Sequence, residues 1–183
     1  MNELSLYILD IVQNSFKANA KKVKIIINED YQSKLLTISI IDDGKGILYE
    51  LLEEVKNPYY TTRKTRKVGL GIPLFLEQCR LNGGDLKIES SPGIGTTIYA
   101  TMLLDSIDIL PLGNLEETLF TLMINDLDVD IEYKHIKNKQ VLYISTIAIK
   151  EILDGISILD VNVLIWLKDY IYNCYSKLNK EEQ

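Results

Sequence analysis

Four short patterns before residue 105 carry side chains able to do chemistry. Asp10 and Asn14 are four apart, so on a helix they share one face, one turn from each other. A carboxylate in that position can take a proton. An amide oxygen one turn on is a hard donor of the kind Mg²⁺ accepts. Asp42-x-Gly44-x-Gly46 follows a β-branched run. An aspartate at a strand end is a short, directional acceptor, and the glycines let backbone approach a flat group where a Cβ would collide. Gly69-Leu70-Gly71 opens a helical pattern, whose first N–H groups are free to face an anion. Gly95-Thr96-Thr97 enters another strand and adds hydroxyls. Each pattern alone is common in turns. Their order, and their strand and helix settings, make them one constellation.

The elements that must position these residues follow from periodicity. Glu3 to Asn19 reads as a helix, with Leu6, Leu9, Val12 and Phe16 as an apolar stripe. Val23 to Ile27 and Leu35 to Ile41 read as strands joined by a polar turn at Asn28 to Lys34. A short helix, Leu48 to Val55, stops at Asn57-Pro58. Tyr59 to Val68 is polar and basic without apolar period, and a helix follows over Gly69 to Leu81, closed by Gly83-Gly84. Leu86 to Glu89 and Thr97 to Leu103 read as a hairpin around Pro92, Gly93 and Gly95.

The composition changes at Asp105 to Gly113, where glycines become sparse. Beyond it the spacing predicts a helix over Leu115 to Asn125, a hairpin of Val129 to Ile136 with Val141 to Ser145, a short helix Ile147 to Leu153, and a last helix from Asp160 to Leu178. That helix carries a stripe of Val161, Leu164, Leu167, Ile171, Cys174 and Leu178, with Trp166 beside it, read first as core packing and second as a dimerisation face. The expected division is 1–104 and 105–183.

Composition bounds the function. The chain has 183 residues, 46% of them hydrophobic, so a packed core is available and global disorder is excluded. Lys plus Arg total 20 against 26 Asp plus Glu, a net charge of −6. Such an acidic globule lacks the basic footprint duplex nucleic acid requires. No run of residues approaches the ~20 apolar positions of a membrane span, and the stretch from Met1 to Ile11 is not a signal peptide. Cys79 and Cys174 are far apart and form neither a disulfide framework nor a metal quartet, so a reducing, cytoplasmic setting is expected. The single histidine, His135, alternates with Ile131 and Tyr133 and reads as a half-buried strand residue.

The four patterns resemble those of the GHKL superfamily of Bergerat-fold ATP-binding domains, which includes sensor histidine kinases, gyrase-type topoisomerases, MutL and the ninety-kilodalton chaperones. Asn57-Pro58-Tyr59-Tyr60-Thr61-Thr62-Arg63 is similar to the "PFYTTK" box of the kinases, and Val68-Gly69-Leu70-Gly71-Ile72 to their glycine box. The resemblance covers roughly residues 3 to 104. It implies an α+β two-layer sandwich, a mixed sheet covered on one face by helices, here with a small C-terminal α/β appendage. It also implies ATP and Mg²⁺ as ligands. Asp42 would then read adenine, with Gly44, Gly46, Ile47 and Thr96 around the base. Asn14 would hold the metal, Lys17 would add positive charge, and Asp10 would be the general base, where the family usually has Glu. Tyr59, Thr61, Thr62 and Arg63 would close over the nucleotide, and Gly69, Leu70 and Gly71 would cradle the phosphates.

A sensor kinase carries its phosphoacceptor histidine on a helix before the ATP domain. Only Met1 and Asn2 precede Glu3, so the expectation is a module without the dimerisation and phosphoacceptor parts. It would couple Mg-ATP binding, with slow hydrolysis or phosphotransfer in trans, to a regulatory protein partner. The alternatives are a serine kinase of the anti-sigma-factor type, or an interaction protein whose C-terminal region is the working surface and whose nucleotide is structural. A resemblance to short kinase-like proteins of anaerobic bacteria, some encoded beside hydrogenase subunits, hints at a redox partner. A homodimer is also open.

Overall fold

Leu4, Tyr7, Ile8, Ile11 and Val12 repeat at three- and four-residue steps, and they form the buried stripe of helix α1 (Leu4–Lys17). The computed structural model describes residues 2–56 and 71–180. Glu3 gives α1 no side-chain cap. Instead the carbonyls of Pro111 and Leu112 accept from Leu4 N (3.0 Å) and Ser5 N (2.8 Å), so the connection after residue 105 satisfies donors that the helix start leaves free.

Strands β1 (Lys22–Asp30) and β2 (Leu35–Asp42) pair antiparallel from Val23↔Asp42 to Asp30↔Leu35. β1 thus runs three residues past the expected end. Asp30 then builds the turn, its Oδ1 accepting from Gln32 N (2.9 Å) and Ser33 N (3.1 Å). A 3₁₀ turn (Tyr49–Leu51) and helix α2 (Leu52–Val55) occupy the place of the short helix. Helix α3 (Gly71–Leu81) leads to the hairpin β3 (Leu86–Ser91) and β4 (Gly95–Leu103).

Helix α4 (Leu115–Asn125) is capped by Asn114, whose Oδ1 accepts from Glu117 N at 2.9 Å. The hairpin β5 (Asp130–Lys137) and β6 (Gln140–Ser145) precedes α5 (Thr146–Leu153) and α6 (Val161–Lys180). The sheet order is β3-β4-β2-β1-β5-β6, and β5 lies parallel to β1 from Lys22↔Asp130 to Glu29↔Lys137. The C-terminal hairpin therefore extends the first sheet, and its inner residues Ile131, Tyr133 and Ile144 join the same hydrophobic core.

One face of the sheet packs under helices. Val23, Ile25 and Ile27 of β1, Ile38 and Ile40 of β2, and Ala100 and Met102 of β4 are buried there against Ile8, Phe75 and Leu167. On the other face Lys22, Ile41, Tyr99 and Tyr143 remain exposed. The α6 stripe is not the expected one: Leu164 and Cys174 are only half-buried, and Val163 and Tyr175 stand in the core instead. Val163, Leu167, Ile171, Tyr175 and Leu178 are buried, whereas Val161 is 69% exposed. The steps of four and three from Val163 define the buried arc, and Val161 lies outside it. Among the described residues no helix is long and apolar enough to cross a membrane.

Candidate functional site

Asp42 ends β2 on the helix-covered face. Its Oδ2 accepts from Ser15 Oγ at 2.7 Å, and its Oδ1 accepts from Gly44 N at 2.9 Å. Ser15 is buried on α1, so the carboxylate is aimed by a helix and by its own loop together. The next residue, Asp43, ties that loop to the start of β1: its Oδ1 accepts from Lys21 N (2.7 Å) and Lys22 N (2.8 Å). Lys45 N donates to Ala18 O, and Gly93 N donates to Lys45 O. The loop is thus clamped between the end of α1 and the β3–β4 turn.

The glycines allow this close approach. A Cβ on Gly46 would lie 2.0 Å from the Ser91 carbonyl oxygen, with φ at +69°. A Cβ on Gly95 would lie 1.9 Å from the Asp42 carbonyl oxygen, with φ at +131°. Both positions combine backbone conformations that side chains rarely adopt with space a side chain would have to share with backbone.

Thr96 pairs with Asp42 across β2 and β4. Its hydroxyl lies 2.9 Å from Ser90 Oγ. Ser90 donates to the Gly95 carbonyl (2.8 Å) and accepts from Ile47 N (2.9 Å). The single Ser90 hydrogen is committed to Gly95, so Thr96 donates to Ser90 and presents only acceptor capacity elsewhere. Ser15 and Ser90 are absent from the sequence-derived set. Serine at these positions carries no periodic signal, since each acts on a residue distant in the chain.

The second half of the site is the α1–α3 contact. Tyr7 stacks on Phe75 with ring centroids 5.3 Å apart. One turn along α1 the Asp10 carboxylate rests on the first residue of α3: a Cβ on Gly71 would come within 1.8 Å of Asp10 Oδ2. The carboxylate therefore sits at the positive end of a helix. Pro73 lies in the first turn of α3, where its missing N–H costs no helical bond. Asn14 is half-buried one turn from Asp10, and its amide makes no side-chain hydrogen bond among the described residues. Its oxygen fits the hard-donor chemistry of Mg²⁺. Lys17 is exposed, one turn further on.

Asp10, Asn14, Ser15, Asp42, Gly44, Gly46, Ile47, Gly71 and Thr96 are thereby connected through α1, the β2 end and the β3–β4 turn. Tyr59, Thr61, Thr62, Arg63, Gly69 and Leu70 lie outside the described residues. Cys79 on α3 is not a nucleophile in this setting: burial, with Asp85 nearby, pushes its thiol up to about 12. His135 is buried, where alternation alone suggested half-burial, and its Nε2 lies 2.9 Å from Glu29 Oε1. It sits where β1 has run to Glu29, whereas Asp42 pairs with Val23 at that strand's start. No described cluster of His, Cys, Asp and Glu has the makings of an all-protein metal site.

Comparisons with known proteins match this region. Residues 2–106 match the family described as histidine kinase-, DNA gyrase B-, and HSP90-like ATPase. Sporulation kinase C of Bacillus subtilis is 31% identical over 105 residues, 57% of this chain and 24% of the kinase. The signal transduction histidine-protein kinase AtoS of Escherichia coli is 34% identical over 112 residues, 61% of this chain and 17% of AtoS. The chain thus spans a quarter or less of the length of these curated relatives. The crystal structure of the N-terminal domain of a DNA repair protein superposes with a TM-score of 0.54 at 16% identity, covering 78% of this chain and 52% of that one. At that identity the likeness concerns the fold.

Proposed function

The chain belongs to the histidine kinase-, DNA gyrase B- and HSP90-like ATPase family, and on that premise we propose that it binds Mg-ATP and couples the nucleotide state to a regulatory protein. The observation that carries this reading is the doubly oriented carboxylate of Asp42, fixed by Ser15 Oγ and Gly44 N at the mouth of the glycine loop. A half-buried carboxylate with both oxygens aimed is suited to an exocyclic amine, because a ligand's N–H can share a lone pair that Ser15 leaves available. Thr96, restricted to accepting, suits the same donor-rich edge. Lys17 is offered to the phosphates, and Asn14 to the metal.

Magnesium, when bound, neutralises phosphate charge and orients the terminal group. Asp10 then takes the proton of an attacking water or hydroxyl. The new oxygen–phosphorus bond forms at the γ-phosphate as the bond to the β-phosphate oxygen breaks and ADP departs. Asp10 lies against the start of α3, so the general base sits at the α1–α3 contact. Aspartate is one methylene shorter than the family's usual glutamate, and we expect slow turnover.

In this reading residues 1–104 hold the nucleotide and residues 105–183 face a partner or a second copy. The shared sheet supplies a path between them: β5 lies along β1, whose Val23 pairs with Asp42. Incubation of the whole chain with γ-labelled ATP and a lysate of its source cell tests the proposal. A labelled protein band means transfer in trans, including the serine-kinase alternative, and free labelled phosphate alone means hydrolysis. Calorimetry that finds no ATP or ADP binding refutes the reading.

A further inference from the structure

We propose that the junction of α5 and α6 is a docking surface for a basic amphipathic helix of a partner protein. The proposal rests on the reading that residues 105–183 meet a partner, and it names the surface and the partner's chemistry. The core takes one side of α6, and the junction exposes a second apolar set. Ile152 near the end of α5, Ile156 and Leu159 in the connection, and Val161 and Ile165 on α6 are 71%, 59%, 50%, 69% and 60% exposed. Single apolar side chains at a surface are ordinary. Five of them between Ile152 and Ile165 make a concentration of the kind that marks an interaction site.

The backbone holds these side chains close together. Ile156 N donates to Leu153 O and Asp160 N to Ser157 O, each at 3.0 Å, which closes two four-residue turns. The ends of such a turn lie within about 7 Å of each other. Ile158, inside the second turn, is buried and pins the connection to the core, while Ile156 and Leu159 stay outside. Ser157 Oγ accepts from Leu159 N (3.2 Å), and Asp160 Oδ1 accepts from Asn162 N (2.8 Å). Val161 and Ile165 are one helical turn apart on α6, a ridge of the spacing that fits the groove of another helix. The surface is preformed, so little ordering opposes docking on this side.

Charge decides the occupant. Glu151, Asp154, Asp160 and Asp169 are exposed along the same stretch and form no ion pair among the described residues. The two lysines of residues 147–172 are both engaged. Lys150 Nζ donates to Asp130 Oδ1 (2.8 Å) and Leu127 O (2.9 Å), and Lys168 Nζ lies 3.0 Å from Glu117 Oε2. A second copy docked on this patch would set the carboxylates against their own counterparts, because a twofold interface faces itself. An anionic membrane would be repelled by the same charges. A helix with an apolar stripe flanked by Lys and Arg meets both the ridge and the carboxylates.

The test uses the whole chain and a dye-labelled peptide of leucine and lysine at helical spacing, about 18 residues long so that a helix can form. Fluorescence anisotropy should show saturable binding. Ile165→Ser and Asp169→Lys should each weaken it about tenfold while leaving ATP affinity unchanged. Both side chains are exposed, so neither change empties the core. A peptide of the same composition in scrambled order should bind at least about tenfold more weakly. Equal binding of the two peptides overturns the proposal in favour of plain charge attraction. Binding indifferent to both substitutions overturns the placement. Light scattering that finds a dimer, lost in Ile165→Ser, overturns it in favour of a second copy, and co-sedimentation with phosphatidylglycerol vesicles overturns it in favour of a membrane. No peptide binding, with ATP still bound, refutes this surface alone. Peptide binding without ATP binding supports the surface and refutes the nucleotide reading.

Discussion

Replacing Asp42 by asparagine separates ligand reading from folding. In the native loop Oδ1 accepts from Gly44 N at 2.9 Å and Oδ2 from Ser15 Oγ at 2.7 Å. Asparagine keeps one acceptor and exchanges the other for an NH₂ donor. The Gly44 N–H can only donate, so the amide oxygen must stay opposite it. The amide nitrogen then faces Ser15, whose hydroxyl rotates and accepts instead. Both internal bonds survive in neutral form, and the loss of charge assistance costs about 1 kcal/mol of stability. A ligand amine has no such freedom, since it now meets a donor where it had an acceptor. The mismatch costs about 1–3 kcal/mol, or roughly 5- to 150-fold in Kd. Calorimetric titration with ADP in Mg²⁺ measures the second figure, and thermal melting the first. An unchanged Kd refutes the assignment of Asp42 to the base. A collapse of the melting temperature refutes the Ser15 exchange.

Three further outcomes follow from the geometry. Asn14→Ala should weaken ATP in Mg²⁺ far more than adenosine, as competition binding with the two ligands will read; equal losses would mean a damaged fold. Asp10→Asn should leave ATP affinity within about tenfold (~1.4 kcal/mol) while abolishing phosphate release, and Gly71→Ala should mimic it, because the added Cβ displaces the Asp10 carboxylate from 1.8 Å; undiminished release in both variants would make Asp10 structural. Glu29→Gln should flatten the acid limb of the stability curve: the depressed Glu29 pKa contributes stability present above the unfolded value near 4.5 and lost as pH falls through the folded one. Melting temperatures of wild type and variant that fall in parallel between pH 6 and about 3 would contradict that contribution.

Several parts of this protein were legible because their signal is local. Asp10 and Asn14 lie one helical turn apart, so their shared face needs no partner to be known. Gly46 and Gly95 take positive φ, a demand that falls on the residue itself. The strands β2 and β5 carry their own two-residue alternation. The family's patterns are of this kind, which is why the ATPase fold could be read before any contact was known.

What remained hidden depends on pairs that meet only after the chain has folded. Ser15 reaches Asp42 across 27 positions, Ser90 reaches Ile47 across 43, and Glu29 reaches His135 across 106. The parallel register of β1 on β5 decides that last pair, and a shift of one residue would turn His135 to the uncovered face. The same register joins the hairpin after residue 105 to the first sheet, a connection that the change in composition there obscures. The start of α1 lacks a local cap and takes its acceptors from Pro111 and Leu112. Periodicity reports which way a side chain faces. Which polar group waits on the other side is set by the packing of elements far apart in sequence, because a hydrogen bond depends on position in space and not on order along the chain.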